Sequence, residues 1–188
     1  MSAVGSKAVS KAINKNGNVI PDEERSWYVM RVTYGRELKL REVLMNRGIE
    51  CYVPTTTRDN RTVSAMANII FVHTTRDIIR ITKEAMETSI PMRFYMDKAA
   101  GLPMTVPEKE MQDFIRVTGN CKYDIDYLDN PEIVYTKGRK VEITYGPFCG
   151  VTGYVLRIKR DRKVVITVSG LISAIISADM KPEWLKLI

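Results

Sequence analysis

The side chains in this sequence that could do chemistry are few and scattered. There is one histidine, His73, and there are three cysteines, Cys51, Cys121 and Cys149. General acid–base work needs a nucleophile or acid placed beside the base, and a metal needs ligands at close spacing. His73 stands in the run His73-Thr74-Thr75-Arg76, with neither nearby in sequence. The cysteines are odd in number and far apart, so they fit neither a disulfide framework nor a zinc pattern and read as reduced, buried or incidental thiols. No glycine loop is spaced to cradle a phosphate. The expectation is a non-enzymatic chain with no catalytic residue, no metal site and no cofactor. What the sequence does supply is cations. With 29 Lys and Arg against 22 Asp and Glu, the 188 residues carry a net charge of +7. That balance favours a polyanionic partner through phosphate neutralisation, with an ordinary basic surface as the alternative.

The elements that must position these groups follow from periodicity. Residues 1–25 are rich in Ser, Lys, Asn and Gly and read as a flexible basic tail. Trp27-Tyr28-Val29-Met30-Arg31-Val32-Thr33 is aromatic and β-branched, as a strand requires. A helix is expected over 36–47, with Leu40, Val43 and Leu44 on one face and Gly48 past its end. A strand at 49–53 precedes an exposed loop over 55–64, and a central strand is expected at 68–72. A helix at 77–87, apolar at Ile78, Ile81 and Ala85, and a strand at 92–96 come next. Thr105-Val106-Pro107-Glu108 then reads as a capping box opening a helix striped by Met111, Phe114 and Ile115. The order β-α-β-β-α-β-α is that of an α+β domain, expected at 26–123 with an antiparallel sheet flanked by helices.

Residues 124–137 accumulate Asp124, Asp126, Asp129, Asn130 and Pro131 and read as a linker, with room for one strand near 133–135. From 138 to 188 the pattern turns wholly β. Val141, Ile143 and Tyr145 alternate with polar residues, Gly146-Pro147-Phe148-Cys149-Gly150 makes a glycine-bracketed turn, and Val151–Ile158 and Val164–Val168 follow. Between them Lys159-Arg160-Asp161-Arg162-Lys163 forms a basic hairpin tip, either solvated or against nucleic acid. This describes a small all-β, SH3-like barrel. No apolar run reaches the roughly 18–20 residues that cross a bilayer. The N-terminus has no apolar signal core, so a cytoplasmic protein without membrane attachment is expected.

Several of these stretches resemble the NusG family of transcription elongation factors. They are Trp27-Tyr28-Val29-Met30-Arg31-Val32 with Gly35-Arg36-Glu37, Gly48-Ile49-Glu50-Cys51-Tyr52-Val53-Pro54, Met104-Thr105-Val106-Pro107-Glu108-Lys109-Glu110-Met111, and the KOW-like segment with Gly146-Pro147-Phe148, Gly150 and Gly153. The Arg-Thr-rich loop and the ending Ser173-Ala174-Ile175-Ile176-Ser177-Ala178-Asp179-Met180-Lys181-Pro182-Glu183-Trp184-Leu185 are most similar to specialised paralogues, in particular the UpxY antiterminators of Bacteroides polysaccharide operons.

The resemblance implies an N-terminal NGN domain and a C-terminal KOW domain in a monomer. Its partner would be RNA polymerase, with the tip of the β′ clamp helices in an apolar depression at Tyr34, Tyr52, Met66 and Ile69; packing of the domain's own core is the alternative for these residues. His73, Thr74, Thr75 and Arg76 match a run that faces the β gate loop in RfaH-type paralogues, and either threonine could instead cap the following helix. Arg36, Lys39 and Arg41, with Arg58 and Arg61, would lie over non-template DNA, because arginine pairs with phosphate and stacks on bases. Lys159, Arg160 and Arg162 would meet nascent RNA. Where general NusG proteins carry an aromatic turn before the third strand, this chain has Met66-Ala67-Asn68-Ile69, and Val168-Ser169-Gly170-Leu171-Ile172 lacks a docking aromatic. The function implied is transcription antitermination over a long operon. The alternative is a ribosome-associated or RNA-binding KOW protein.

Overall fold

A computed structural model describes residues 25–85, 91–119, 125–128, 138–158, 161–169, 172–176 and 181–188. Its first sheet has the order β2-β5-β1-β6, built from β2 (Glu50–Tyr52), β5 (Ile69–Thr74), β1 (Ser26–Val32) and β6 (Met92–Phe94), with β9 (Thr105–Val106) also pairing with β1. All of these pairings are antiparallel. The sheet is apolar on both faces. Met30, Val32, Ile70 and Val72 pack with Leu40 and Leu44 of α1 (Glu37–Met45) and with Ile78 and Ile79 of α2 (Arg76–Ala85). The alternate residues Trp27, Val29 and Phe71 turn the other way, onto Met111 and Phe114 of α3 (Glu108–Thr118). Two helices therefore cover one face and the third covers the other, an α+β arrangement.

Beyond α3 lies a second, six-stranded antiparallel sheet. Its order is β10-β14-β13-β12-β11-β15, from β10 (Ile125–Leu128), β14 (Ile172–Ile176), β13 (Asp161–Val168), β12 (Thr152–Ile158), β11 (Arg139–Ile143) and β15 (Leu185–Leu187). Val117 of α3 packs with Ile143, Phe148, Val151, Val164, Ile166 and Ile176 of this region. Gly153 is required here, since a Cβ would stand 2.8 Å from the Val165 carbonyl on the neighbouring strand. Two small hairpins complete the described chain, β3 (Thr55–Arg58) with β4 (Arg61–Ser64) and β7 (Met96–Asp97) with β8 (Leu102–Pro103).

Several expectations change. The stretch 55–64 is a hairpin and not an irregular loop. Asp59 and Asn60 hold φ of 48° and 59°, the two left-handed residues of a type I′ turn, and the threonines on either side favour strand. Ile125–Leu128, inside the expected linker, is a strand of the second sheet: Ile125 and Tyr127 are half-buried while Asp126 is exposed. The 133–135 strand lies outside the described residues. The central strand runs on to Thr74, so His73 and Thr74 belong to it. The buried face of α2 is Ile78, Ile79 and Thr82, while Ala85 is exposed. The strand expected at 92–96 breaks at Tyr95 into β6 and β7. No capping box opens α3. Thr105 is in β9, Pro107 holds the cap position without a side-chain bond, and Glu108 is engaged by Trp27 Nε1 at 2.9 Å. Tyr145 is 65% exposed just beyond β11 instead of completing its apolar face.

Candidate functional site

The candidate groove lies on the α3 side of the first sheet. Tyr52 and Phe71 are cross-strand partners on β2 and β5, and Phe114 of α3 meets both edge-on, with centroids 6.2 and 5.7 Å away. The Tyr52 hydroxyl shares a 2.6 Å hydrogen bond with Thr118 Oγ1, fixing the ring against α3. Met66 is only 3% exposed and Ile69 is half-buried beside them. The same apolar cluster includes Val168 and Ala174 of the second sheet, with Ile125 and Tyr127 packed on it. Burial first, and the neighbouring Tyr52 second, push the Tyr127 phenol well above its ordinary range. Tyr52, Met66 and Ile69 thus share one apolar cluster with residues of the chain's own C-terminal region.

Tyr34 is not part of that cluster. It sits in the turn after β1, 76% exposed, and lines an open cleft of about 450 Å³ with Arg58, Glu37, Ser64 and Met66. The cleft brings the start of α1 next to the β3–β4 hairpin. Glu37 organises this junction and carried no obvious signal in sequence. It is buried, and its Oε1 accepts the Asn68 N–H at 2.7 Å, holding Asn68 at φ 65°. Arg36 at the cap position before α1 and Lys39 on α1 are exposed, Arg41 is half-buried, and Arg58 and Arg61 face each other across the hairpin at its turn. Lys159 and Arg160 lie outside the described residues, as does the side chain of Arg162.

The run from His73 to Arg76 does not form one face. His73 stacks on Trp27 with centroids 4.8 Å apart, and its Nδ1 is 2.7 Å from Glu50 Oε2. Thr74 is fully buried. Thr75 caps α2, its Oγ1 accepting the Ile78 N–H at 3.3 Å. Only Arg76 and part of His73 reach the surface. Cys51, on β2, donates to the Arg41 carbonyl; burial pushes its thiol up to about 12, outweighing the opposing pull of Arg41. Such a thiol stays protonated and unreactive at neutral pH. Among the described residues no His, Cys, Asp and Glu side chains gather as a metal cluster. No described helix is long and apolar enough to cross a membrane.

The most detailed polar site is one the sequence reading missed: the seam between α3 and the second sheet. Asp113 is buried, and its Oδ2 accepts from the Thr152 N–H at 3.0 Å and the Thr152 hydroxyl at 3.1 Å. Lys109 Nζ bridges Asp113 and the Gly150 carbonyl, 2.6 and 2.8 Å away. Arg116 donates to the carbonyls of Cys149 and Pro147 at 2.7 and 2.9 Å. Glu110 Oε2 accepts the Ser169 N–H at 2.9 Å. In sequence, Lys109 and Asp113 look like an ordinary solvated helical ion pair.

No curated protein matches this chain. Among solved structures, one described as "Domain interaction in Thermotoga maritima NusG" aligns with 89% of this chain and 99% of its own, at 18% identity and a TM-score of 0.48. The family model described as "Transcription termination factor nusG" matches residues 25–115, which run from the start of the first sheet into α3. Residues 25–115 are therefore a NusG-family domain.

Proposed function

We propose that this chain is a non-enzymatic NusG-type factor that travels with elongating RNA polymerase and suppresses pausing and termination. The observation that carries the reading is the NusG-family domain at 25–115, with an aromatic groove on its sheet. In this reading the tip of the polymerase β′ clamp helices buries its apolar atoms against Tyr52, Met66 and Ile69, with Tyr34 at the rim. His73 and Arg76 are the members of their run left to meet the β gate loop, while Thr74 and Thr75 serve the fold. Arg36, Lys39, Arg41, Arg58 and Arg61 follow the non-template strand. The second sheet is an SH3-like KOW barrel with Lys159, Arg160 and Arg162 toward nascent RNA. The protein acts in the cytoplasm as a monomer, as an antiterminator of the UpxY kind on a polysaccharide operon.

The packing of the groove on Ile125, Tyr127, Val168 and Ala174 adds a condition. Clamp tip and second sheet compete for the same apolar atoms, so binding draws on the population in which the two regions have parted. The test is retention of the full chain on core polymerase. Tyr52→Ala and Met66→Asp should each reduce retention roughly tenfold or more. Asp113→Ala, which loosens the seam without touching the groove, should raise it. Unchanged retention of both groove variants, with circular dichroism like wild type, would remove the groove from the reading.

A further inference from the structure

On the C-terminal region, the edge formed by β11 and β15 carries an aromatic pair that the fold does not need for its core. Tyr145 remains 65% exposed even with the two regions packed together. Its ring lies 5.4 Å from that of half-buried Trp184, tilted by 41°. Trp184 is held from below, packing on the cluster of Ile143, Phe148 and Val151. Its carbonyl accepts both the N–H and the hydroxyl of Thr144, at 2.7 and 3.0 Å, tying the 3-10 turn Pro182–Trp184 to the end of β11. The pair is therefore a pre-positioned platform with one ring open.

Charged side chains flank it. Lys181 Nζ sits 5.5 Å from the Trp184 ring centre, and Lys186 is exposed two residues beyond Trp184. Two carboxylates, Glu142 and Glu183, are also close, Glu142 directly across from Lys186. The geometry points to a binding site for single-stranded RNA here: a base stacks on Tyr145, Lys181 and Lys186 meet the flanking phosphates, and a carboxylate accepts from the ribose 2′-hydroxyl. Stacking on aromatic side chains with cations alongside is how unpaired strands are held without sequence reading. The acceptors favour ribose, which has a hydroxyl to donate, over deoxyribose. The site is separate from the basic tip at Lys159 and Arg160 and does not rest on the polymerase reading, since it is open with the groove covered.

The experiment is fluorescence anisotropy of labelled 12-nucleotide oligo(rU) and oligo(dT) with the full chain. Wild type should bind oligo(rU) more tightly. Tyr145→Ala should weaken it about tenfold, and Tyr145→Phe should retain it, because the ring and not the hydroxyl does the stacking. Lys181→Ala should lower the dependence of log affinity on log salt by about 0.7, one phosphate's worth for a single strand. Arg80→Ala, on α2 of the first domain and paired there with Asp77 and Glu84, should leave RNA affinity unchanged. Equal binding by wild type and Tyr145→Ala, or a Tyr145→Phe variant as weak as Tyr145→Ala, would overturn the site. So would equal affinity for both oligonucleotides, or capture of a proline-rich peptide at Tyr145 without RNA binding.

Discussion

Helix α3 is held on two sides by different chemistry. Toward the first sheet it offers Met111 and Phe114, both fully buried against Trp27, Val29 and Phe71, with side-chain hydrogen bonds at the two ends of the helix, Trp27 to Glu108 and Tyr52 with Thr118. Toward the second sheet it also buries Val117, but the seam is edged by Lys109, Glu110, Asp113 and Arg116 reaching backbone groups at Pro147, Cys149, Gly150, Thr152 and Ser169. Apolar burial on the first side is non-directional and has no competitor but water. Directed hydrogen bonds contribute only modestly in net terms, because water replaces them when the surfaces part. The first contact is built to persist and the second can open, as the proposed uncovering of the groove requires.

The largest test of that contrast is Phe114→Ala. The ring fills the junction of Tyr52, Phe71 and the second sheet, so its loss should cost about 3–5 kcal/mol in urea denaturation. Backbone amides of β1 and β5 should lose hydrogen-exchange protection together with those of β13. If β1 and β5 kept full protection, the apolar side would not be what holds the first domain together.

Asp113→Ala probes the other side and should cost less, about 1–3 kcal/mol, because the half-buried Thr152 N–H and the Lys109 ammonium lose their acceptor. Here the regions should separate. The radius of gyration in small-angle scattering should rise while β1 and β5 stay protected. An unchanged radius, or loss of protection in both regions, would erase the distinction between the two faces.

The same contrast explains what could be read in the sequence. Leu40, Leu44, Met111 and Phe114 were legible because helical spacing marks a buried stripe, and Val141 and Ile143 because alternation marks a strand. The seam was not, because its partners are backbone carbonyls and amides some 30 to 60 residues away, and nothing local distinguishes Asp113 from a solvated acid. Ile125–Leu128 was hidden by the acidic residues around it, and the hairpin at 55–64 by threonines that serve loops and strands alike. Of the candidate groove, Tyr52, Met66 and Ile69 share one apolar cluster, and Met66 also lines the cleft that holds Tyr34. Thr74 and Thr75 show the limit of motif reading: the same letters that suggest a contact surface are spent on burial and capping.

The smallest effect separates the two faces by pH. The Cys51 thiol is raised from its ordinary 9.0 to about 12 by burial beneath α1, on the side of the first sheet away from α3. A raised acid is protonated when folded and ionised sooner when unfolded. Its contribution is thus complete below pH 9.0 and is lost as pH climbs toward 12. At pH 10 the loss should be about 1 kcal/mol, and Cys51→Ala should remove that part of the slope. Tyr127, raised above an ordinary value of 10.0 at the covered groove, has the same sign but begins to act only above pH 10. Between pH 9 and 10 the first domain should therefore soften, seen as faster thiol labelling of Cys51, while the radius of gyration stays that of the packed form. Were the radius to grow in that interval, strain in the α1 layer would be reaching the seam through the sheet, and the two faces of α3 would be coupled rather than independent.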